Sequence, residues 1–280
     1  MPALNSFPAR ALTPLPPAGR VRFVNAPLAG EFPLLHVVDD DGDVQTFVPG
    51  DFGDQVAYFA PQVGVGFGIR SGPGMQWSAS NTMTGEMPVV GAPARIDRYF
   101  RGRITSGAGL NASSGFLCRP PGGPDDGVVN VARGFYAEAV FSLRNAELAG
   151  SQAWAGPYNQ PLVIQDVALS APRKVGFGWT HLQAVDNWYL HHAADAGNVD
   201  PVDTGIPRDN NGILRVRVAS LGVEWVALEL MELNSGLSFS ALVDADIPGD
   251  ERLILEFVQG IADTGEGTFN DVLHAVLICR

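Results

Sequence analysis

Apolar and polar residues alternate along many short segments of this chain. Leu214, Val216 and Val218 are separated by Arg215 and Arg217, and residues 137–143 show the same two-residue period less strictly. Because successive side chains of a β-strand point to opposite faces, this period predicts half-buried strands. Residues 272–278 are apolar on both faces, which predicts a strand in the interior of a sheet.

Turn residues separate these segments. The sequence Asp-Asp-Asp-Gly-Asp at 39–43 lies between the apolar runs 34–38 and 44–48, and its Asp-Gly step supplies the positive φ of a hairpin turn. Residues 223–233 would also fit a helix. They are predicted to form a strand because Asn-Ser-Gly at 234–236 leads into a second apolar run at 237–242. Many short strands with regular turns predict an all-β sandwich or barrel, and no long amphipathic helix is found.

The chain is predicted to have three parts. Residues 1–20 contain five prolines, which remove backbone donors and predict an extended arm. Residues 21–72 predict a small β anchoring segment that ends in a glycine-rich junction, and residues 73–280 predict the sandwich. Because an isolated hairpin is marginally stable in water, we expect residues 1–72 to need contacts from a neighbouring surface.

Composition and charge exclude several classes of partner. The chain has 280 residues, 46% of them hydrophobic, and a formal net charge of −12, so it is globular and poorly suited to nucleic acid or anionic membranes. Cys118 and Cys279 are expected to be free thiols. The N-terminus lacks the pattern of a signal peptide and no apolar run has the length of a membrane span, so we expect synthesis in the cytoplasm without membrane insertion.

Motifs of common enzyme classes are not found in the sequence. It contains no Gly-x-Ser-x-Gly, His-Glu-x-x-His or Walker A motif, and no strand with the paired carboxylates that many glycosidases on such sandwiches carry. We therefore expect no catalysis and no cofactor. Carboxylates that converge from distant strands would still allow a polysaccharide-degrading enzyme.

The densest group of aromatic and imidazole side chains lies at residues 186–192. An exposed Trp188 could stack on a sugar ring while Asp186 and Asn187 bind its hydroxyl groups, in a site that includes His191, whereas a buried Trp188 would fill the core. Alternation along a strand places Trp188 and Leu190 on one face and His191 on the other. A neighbouring loop with Asn210 and Asn211 is a second place for glycan contacts, or a plain turn.

The acidic hairpin turn is a weak candidate for a metal site. Asp39, Asp41 and Asp43 offer hard oxygen ligands that suit calcium. The turn lacks the spaced ligands and the distal glutamate of a helix-loop-helix calcium site, so the alternative is a solvated turn.

The stretch from Ala92 to Cys279 resembles the concanavalin A-like (laminin G-like) sandwiches of tailed-phage structural proteins. The stretches that carry the resemblance are, in order, Arg-Tyr-Phe-Arg-Gly-Arg-Ile-Thr-Ser-Gly-Ala-Gly at 98–109, Gly-Phe-Tyr-Ala-Glu-Ala-Val-Phe at 134–141, Lys-Val-Gly-Phe-Gly-Trp at 174–179, Trp-Tyr-Leu-His-His at 188–192 and Gly-Ile-Pro at 205–207. Arg-Val-Arg-Phe at 20–23, with the acidic hairpin, is similar to the short anchoring segment that often precedes such sandwiches.

The resemblance implies a structural appendage on a virion surface: a head-fibre, decoration or tail-fibre subunit. It implies attachment through residues 1–72 to capsid, portal or tail proteins, assembly as a homotrimer, and contact of the sandwich with a host-surface polysaccharide. Two other functions stay open at this point, a free carbohydrate-binding lectin and a polysaccharide-degrading enzyme.

Overall fold

The strands of the protein account for most of the structure that is described. The computed structural model describes residues 15–27, 33–41, 44–47, 55–60, 68–71, 75–79, 83–92, 94–105, 113–119, 127–144, 151–159, 175–181, 187–194, 201–209, 211–220, 225–249, 251–261 and 269–279. In chain order the strands are β1 (Arg22–Pro27), β2 (Pro33–Val38), β3 (Val44–Phe47), β4 (Gln55–Ala60), β5 (Gly68–Ser71), β6 (Gln76–Ala79), β7 (Met83–Glu86), β8 (Arg101–Thr105), β9 (Ser113–Arg119), β10 (Phe135–Arg144), β11 (Ser151–Tyr158), β12 (Gly176–His181), β13 (Asn187–Ala193), β14 (Val202–Pro207), β15 (Leu214–Ser220), β16 (Val226–Glu232), β17 (Ser238–Val243), β18 (Ile254–Ile261) and β19 (Phe269–Cys279).

Two large antiparallel sheets form a sandwich. The larger sheet has the order β17-β16-β15-β10-β19-β4-β5, with β8 beside β19 and β7 beside β8. The smaller sheet has the order β14-β13-β12-β11-β18-β9-β6. A short 3₁₀ turn, Arg95–Arg98, lies between β7 and β8. The predicted all-β sandwich is confirmed.

The core lies between the two sheets and is rich in aromatic side chains. Trp77 stacks on Phe116 with 4.7 Å between ring centroids, and Phe141 meets Phe257 across the sandwich at 5.0 Å. Trp179 is fully buried in the same cluster. Alternation produces this layer, since every second residue of a strand faces the opposite sheet.

Two hairpins predicted from the sequence are confirmed. Val38 pairs with Val44 across the acidic turn, whose residues 42–43 lie outside the described part of the chain. In the second hairpin β16 pairs with β17, and its turn contains Gly236 at φ +77°, a conformation that glycine adopts without strain. The choice of strand over helix for residues 223–233 is therefore correct for residues 226–232.

Strand β19 occupies the interior of the larger sheet, as its apolar sequence predicted. One edge pairs with β10 along its whole length. The other edge pairs with β8 through residues 269–272 and with β4 through residues 275–279. Ala275 and Leu277 are fully buried, because the strand has neighbours on both sides and the opposite sheet above it.

The predicted boundary at residue 72 does not match the sheets. β4 and β5 belong to the larger sheet, although both fall within the predicted anchoring segment 21–72. Phe59 is fully buried in the core and meets Phe116 of β9 at 4.7 Å. The predicted boundary is wrong because β4 pairs with the part of β19 that β8 leaves unpaired, and β4 is therefore a strand of the sandwich.

The three-stranded sheet β1-β2-β3 forms a further layer outside the larger sheet. Val21, Phe23 and Val37 pack against Ala219 and Ala227, with Tyr136, Trp225, Leu242 and Ile278 around them. Trp225 is half-buried there. The contacts expected from a neighbouring surface are thus supplied, for these strands, by the chain's own sandwich. Residues 1–14 of the predicted arm lie outside the described residues.

Candidate functional site

The structure separates the residues predicted to bind glycan. Trp188 and Leu190 of β13 point into the core, and Trp188 is 1% exposed. His191 lies on the opposite face of the strand, as alternation predicted, and is buried beside Trp154 and Tyr158, with ring centroids 6.1 and 6.5 Å away. Trp188 is therefore a core residue. Its buried indole has no exposed face on which a sugar ring could stack.

Of the remaining predicted residues, the structure describes Asn187 and Asn211, and Asn211 lies at an open cavity. The side-chain amide of Asn187 donates hydrogen bonds to both carboxylate oxygens of Asp203, at 3.0 and 3.2 Å. Asp186 and Asn210 lie outside the described residues. Asn211 is exposed and lines a cavity whose described lining does not include Asn187, Trp188 or His191.

We expect the substitution Trp188→Ala to destabilise the protein by about 3–5 kcal/mol, the usual cost of truncating a buried aromatic side chain. Chemical denaturation followed by circular dichroism measures the free energy of unfolding. Val202→Ala on neighbouring β14 is the matched control, because Val202 is exposed, and it should change stability by less than about 0.5 kcal/mol. Unchanged stability of Trp188→Ala would contradict the core assignment.

The cavity at Asn211 is an open cleft of about 620 Å³. Its lining residues come from the 3₁₀ turn, the end of β10 and two loops at one end of the larger sheet: Ala94, Arg95, Asp97, Arg144, Asn211 and Asn234. We call it the arginine–asparagine cleft. None of its described lining residues is aromatic, so its chemistry is that of charges and amides.

An apolar contact holds one wall of the arginine–asparagine cleft. Ile96, in the middle of the 3₁₀ turn, is fully buried against Val140 and Ile213 on the outer face of the larger sheet. Its neighbours Arg95 and Asp97 consequently line the cleft. Arg95 also donates a hydrogen bond from Nη1 to the carbonyl oxygen of Leu233 at 2.8 Å, which positions its guanidinium.

Two tight turns form the opposite wall. Asn234 donates from its side-chain amide to the carbonyl oxygen of Asn211 at 2.9 Å, which joins the two turns. The Glu232 carboxylate accepts hydrogen bonds from the backbone N–H groups of Ile213, Asn234 and Ser235. Burial raises the pKa of Glu232, but its hydrogen bonds from Ser235, Asn234 and Ile213 outweigh burial and lower it. This wall is therefore rigid before any ligand arrives.

A buried charge network supports the arginine–asparagine cleft. Asp271 is fully buried and accepts two hydrogen bonds from Arg103, at 2.6 and 2.7 Å. Arg101 lies 3.2 Å from Asp271 and 3.2 Å from Asp97, and Arg144 lies 2.8 Å from Asp97. The hydrogen bond with Asp271 raises the pKa of Arg103, whereas burial lowers that of Arg101. The network thus fixes Asp97 and Arg144 at the cleft.

The cleft offers hydrogen-bond donors and acceptors in fixed positions. Arg95 and Arg144 supply N–H donors, and the amides of Asn211 and Asn234 supply both kinds of group. The lining contains two guanidinium groups and one carboxylate, so its net charge is positive. The whole chain is acidic, with 30 acidic and 18 basic residues. Sugar hydroxyls and carboxylates match this set, since guanidinium groups bind carboxylates in a bidentate manner.

Sequence reasoning found one of the cleft residues and missed the others. Asn211 was recognised from the Asn-Asn-Gly turn. The others carry no shared motif because they come from three elements that are far apart in the sequence: Arg95 and Asp97 from the 3₁₀ turn, Arg144 from the end of β10 and Asn234 from the turn after β16. The Asn-Ser-Gly turn at 234–236 predicts a hairpin, and its sequence alone does not indicate a cleft.

The acidic hairpin has a structural contact of its own. Asp40 accepts a hydrogen bond from the backbone N–H of Gly19 at 2.7 Å. Asp39 is half-buried and Asp41 is exposed, and Asp43 lies outside the described residues. Within the described residues, no group of three His, Cys, Asp or Glu side chains could hold a metal ion, and no helix is long and apolar enough to span a membrane.

Comparisons with known proteins give similarities of fold. No family model matches the sequence, and no curated protein matches it. A protein of unknown function from Shewanella oneidensis MR-1 is 11% identical, with 79% of this chain and 84% of that chain covered and a TM-score of 0.49. Lectin II from Ulex europaeus is 12% identical, with 80% and 98% covered and a TM-score of 0.48.

A carbohydrate esterase from the Shiga toxin-encoding bacteriophage phi24B is also similar. It is 13% identical, with 73% of this chain and 90% of that chain covered and a TM-score of 0.41. Lectin-like sandwiches are thus among the structures that resemble this fold. All of these similarities are too distant to carry a conclusion about function.

Proposed function

We propose that this protein is a non-catalytic glycan-binding sandwich, and that the arginine–asparagine cleft is its binding site. The observation that carries the proposal is the rigid set of two arginines, two asparagines and one aspartate around an open cavity. Polar side chains on fixed turns bind sugars without first losing conformational freedom.

The same cleft favours an acidic glycan. Arg95 is exposed, and its hydrogen bond to the Leu233 carbonyl uses one of the five N–H donors that a guanidinium group carries. A sugar carboxylate at Arg95 would form a charge-assisted pair, while Asn211 and Asn234 bind the neighbouring hydroxyl groups.

The proposal includes that the cleft binds its glycan without cleaving it. Asp97 is the carboxylate of the described cleft lining, and it is paired with Arg101 and Arg144. Hydrolysis of glycosidic bonds generally uses two carboxyl groups on opposite sides of the sugar. The described lining provides one, which supports binding rather than cleavage.

Glycan binding is tested with variants of the cleft. We expect the full chain to bind acidic glycans on an array. In calorimetric titration Arg95→Gln should weaken binding about tenfold or more, since a hydrogen bond to a charged group contributes about 1.5–3 kcal/mol. Asn234→Ala should weaken binding less, about two- to tenfold, since a hydrogen bond between neutral groups contributes about 0.5–1.5 kcal/mol. Arg133→Gln is the matched control because Arg133 is exposed and outside the cleft. Equal binding by all variants would rule out the cleft, and release of reducing ends from the bound glycan would rule out the non-catalytic function.

The position of the protein is proposed to be the surface of a tailed-phage-like particle. The resemblance of residues 92–279 to phage appendage sandwiches supports this placement. On this proposal the region 1–72 contacts other virion proteins, the sandwich faces the host, and the assembly is a homotrimer. Imaging of assembled particles carrying a labelled chain tests the placement. A chain that is never found on particles would favour the free lectin instead.

A further inference from the structure

A second cavity lies where the N-terminal segment crosses the outer face of the larger sheet. Its volume is about 510 Å³, and it is more enclosed than the arginine–asparagine cleft. We call it the strap pocket. Its lining comes from the segment before and within β1 and from β15, β16 and β17: Pro16, Pro17, Arg20, Val21, Arg22, Phe23, Arg215, Glu229, Met231, Ser238, Phe239 and Ser240.

Contacts within the chain hold the strap pocket open in a defined shape. Arg20 donates a hydrogen bond to the carbonyl oxygen of Ser240 at 2.9 Å, and its guanidinium lies 3.6 Å from the centroid of the Phe239 ring. Pro16 and Phe23 are buried. Polar and apolar side chains thus line one cavity of defined shape.

The strap pocket concentrates positive charge in an acidic protein. Arg20, Arg22 and Arg215 line it together with one carboxylate, Glu229, although the chain has a net charge of −12. Clustered guanidinium groups repel each other, and burial lowers the pKa of Arg20. An anion in the pocket would relieve both costs.

The available carboxylates near the pocket are already engaged. Glu229 lies 3.1 Å from Arg215 and 3.6 Å from Arg217, so it is shared between two guanidinium groups. Glu138 lies 2.6 Å from Arg217. Among the described residues, no acidic side chain forms an ion pair with Arg20 or Arg22. The lining itself thus contains three guanidinium groups and one carboxylate, while Asp40 of the acidic hairpin lies outside the lining and accepts a hydrogen bond from the backbone of Gly19.

We propose that the strap pocket is a second ligand site, which binds the carboxylate of a sugar acid. A planar carboxylate matches the fork of a guanidinium group. The hydroxyl groups of Ser238 and Ser240 can bind ring hydroxyls, and the apolar walls can cover the C–H face of the ring. This proposal is independent of the cleft, because the two cavities share no lining residue.

Binding in the strap pocket would also fasten the N-terminal segment. Arg20 and Arg22 belong to that segment, whereas Arg215 belongs to β15 of the sandwich. An anion that contacts both sides connects them. A ligand that binds only the docked form stabilises that form by mass action, so the sugar acid should raise the resistance of the N-terminal segment to proteolysis.

The test is a calorimetric titration of the full-length Arg95→Gln variant with D-glucuronate and, separately, with inorganic phosphate. This background weakens the proposed cleft site, and the added Arg22→Gln substitution tests the strap pocket alone, so a failure here is distinct from a failure of the proposed function. We expect saturable binding of one glucuronate, weakened tenfold or more when Arg22→Gln is added and unchanged when Arg133→Gln is added. Glucuronate should also slow proteolysis near residues 15–22.

Several results would overturn the proposal. The proposal is wrong if the Arg95→Gln variant shows no saturable binding of glucuronate. It is also wrong if the addition of Arg22→Gln leaves the affinity for glucuronate unchanged. Phosphate binding without glucuronate binding would overturn the assignment to a sugar acid. Because Arg22 is half-buried on β1, circular dichroism of each variant confirms that the fold is intact before titration.

Discussion

A chain that begins at residue 73 is expected to lose the folded sandwich. This truncation removes β4 and β5, and with them the five residue pairs that join β4 to residues 275–279 of β19. It also removes Phe59, which is fully buried against Phe116. Losing one buried aromatic side chain costs about 3–5 kcal/mol, and the exposed sheet edge adds to that, against a total stability of about 5–15 kcal/mol for a typical domain. Near-ultraviolet circular dichroism and thermal unfolding measure the loss.

The matched control is a chain that begins at residue 51. It keeps β4 and β5 but lacks β1, β2 and β3. We expect it to fold cooperatively, with a lower melting temperature because Trp225 and Leu242 lose the apolar layer that covers them. If the chain that begins at residue 73 unfolded as cooperatively as the chain that begins at residue 51, the assignment of β4 to the sandwich would be contradicted.

The second large effect is expected for Asp271→Ala, which should destabilise the protein by about 3–5 kcal/mol. Asp271 is the buried anion between Arg101 and Arg103, and removing it leaves Arg101 buried at 2% exposure beside a second guanidinium. Breaking a buried ion pair by removing one partner leaves an uncompensated charge, which is the costly case. Urea denaturation measures the change in the free energy of unfolding.

Two further variants make this result specific. Asp244→Ala removes an exposed carboxylate and should change stability by less than about 0.5 kcal/mol. Adding Arg103→Leu to Asp271→Ala should recover part of the loss, because one of the two guanidinium groups that Asp271 neutralises is then gone and Arg101 no longer faces it. A small effect of Asp271→Ala, or no recovery in the double variant, would contradict the role given to the network.

Strands and hairpins could be predicted because their signals are local. The two-residue period of residues 214–218 and the Asp-Gly step at 41–42 act over a few residues. The interior position of β19 also followed from its own composition, since a strand that is apolar on both faces must be covered on both.

The boundary at residue 72 could not be predicted because strand pairing is non-local. Residues 55–60 are strand-forming, but nothing in them indicates that their partner lies more than 200 residues later, at 275–279. A glycine-rich stretch between two strands has the same appearance whether it joins two domains or lets the chain cross from one sheet to the other.

The candidate site was predictable only in part, for a similar reason. Alternation correctly separated Trp188 from His191, yet it could not decide which face of the sheet is the core. The arginine–asparagine cleft needs Arg95, Arg144 and Asn234 from three different parts of the chain. Their proximity is a product of the fold rather than of any sequence motif.

Chemical-shift mapping of the ¹⁵N-labelled full chain during titration with an acidic oligosaccharide selected on the array tests the central claim most directly. We expect saturable chemical-shift changes at the side-chain amides of Asn211 and Asn234 and at the backbone amide of Leu233. The backbone amides of β11 and β13 should keep their chemical shifts. Shifts confined to the face of His191, Trp154 and Tyr158, or no saturable shift at the cleft, would contradict it.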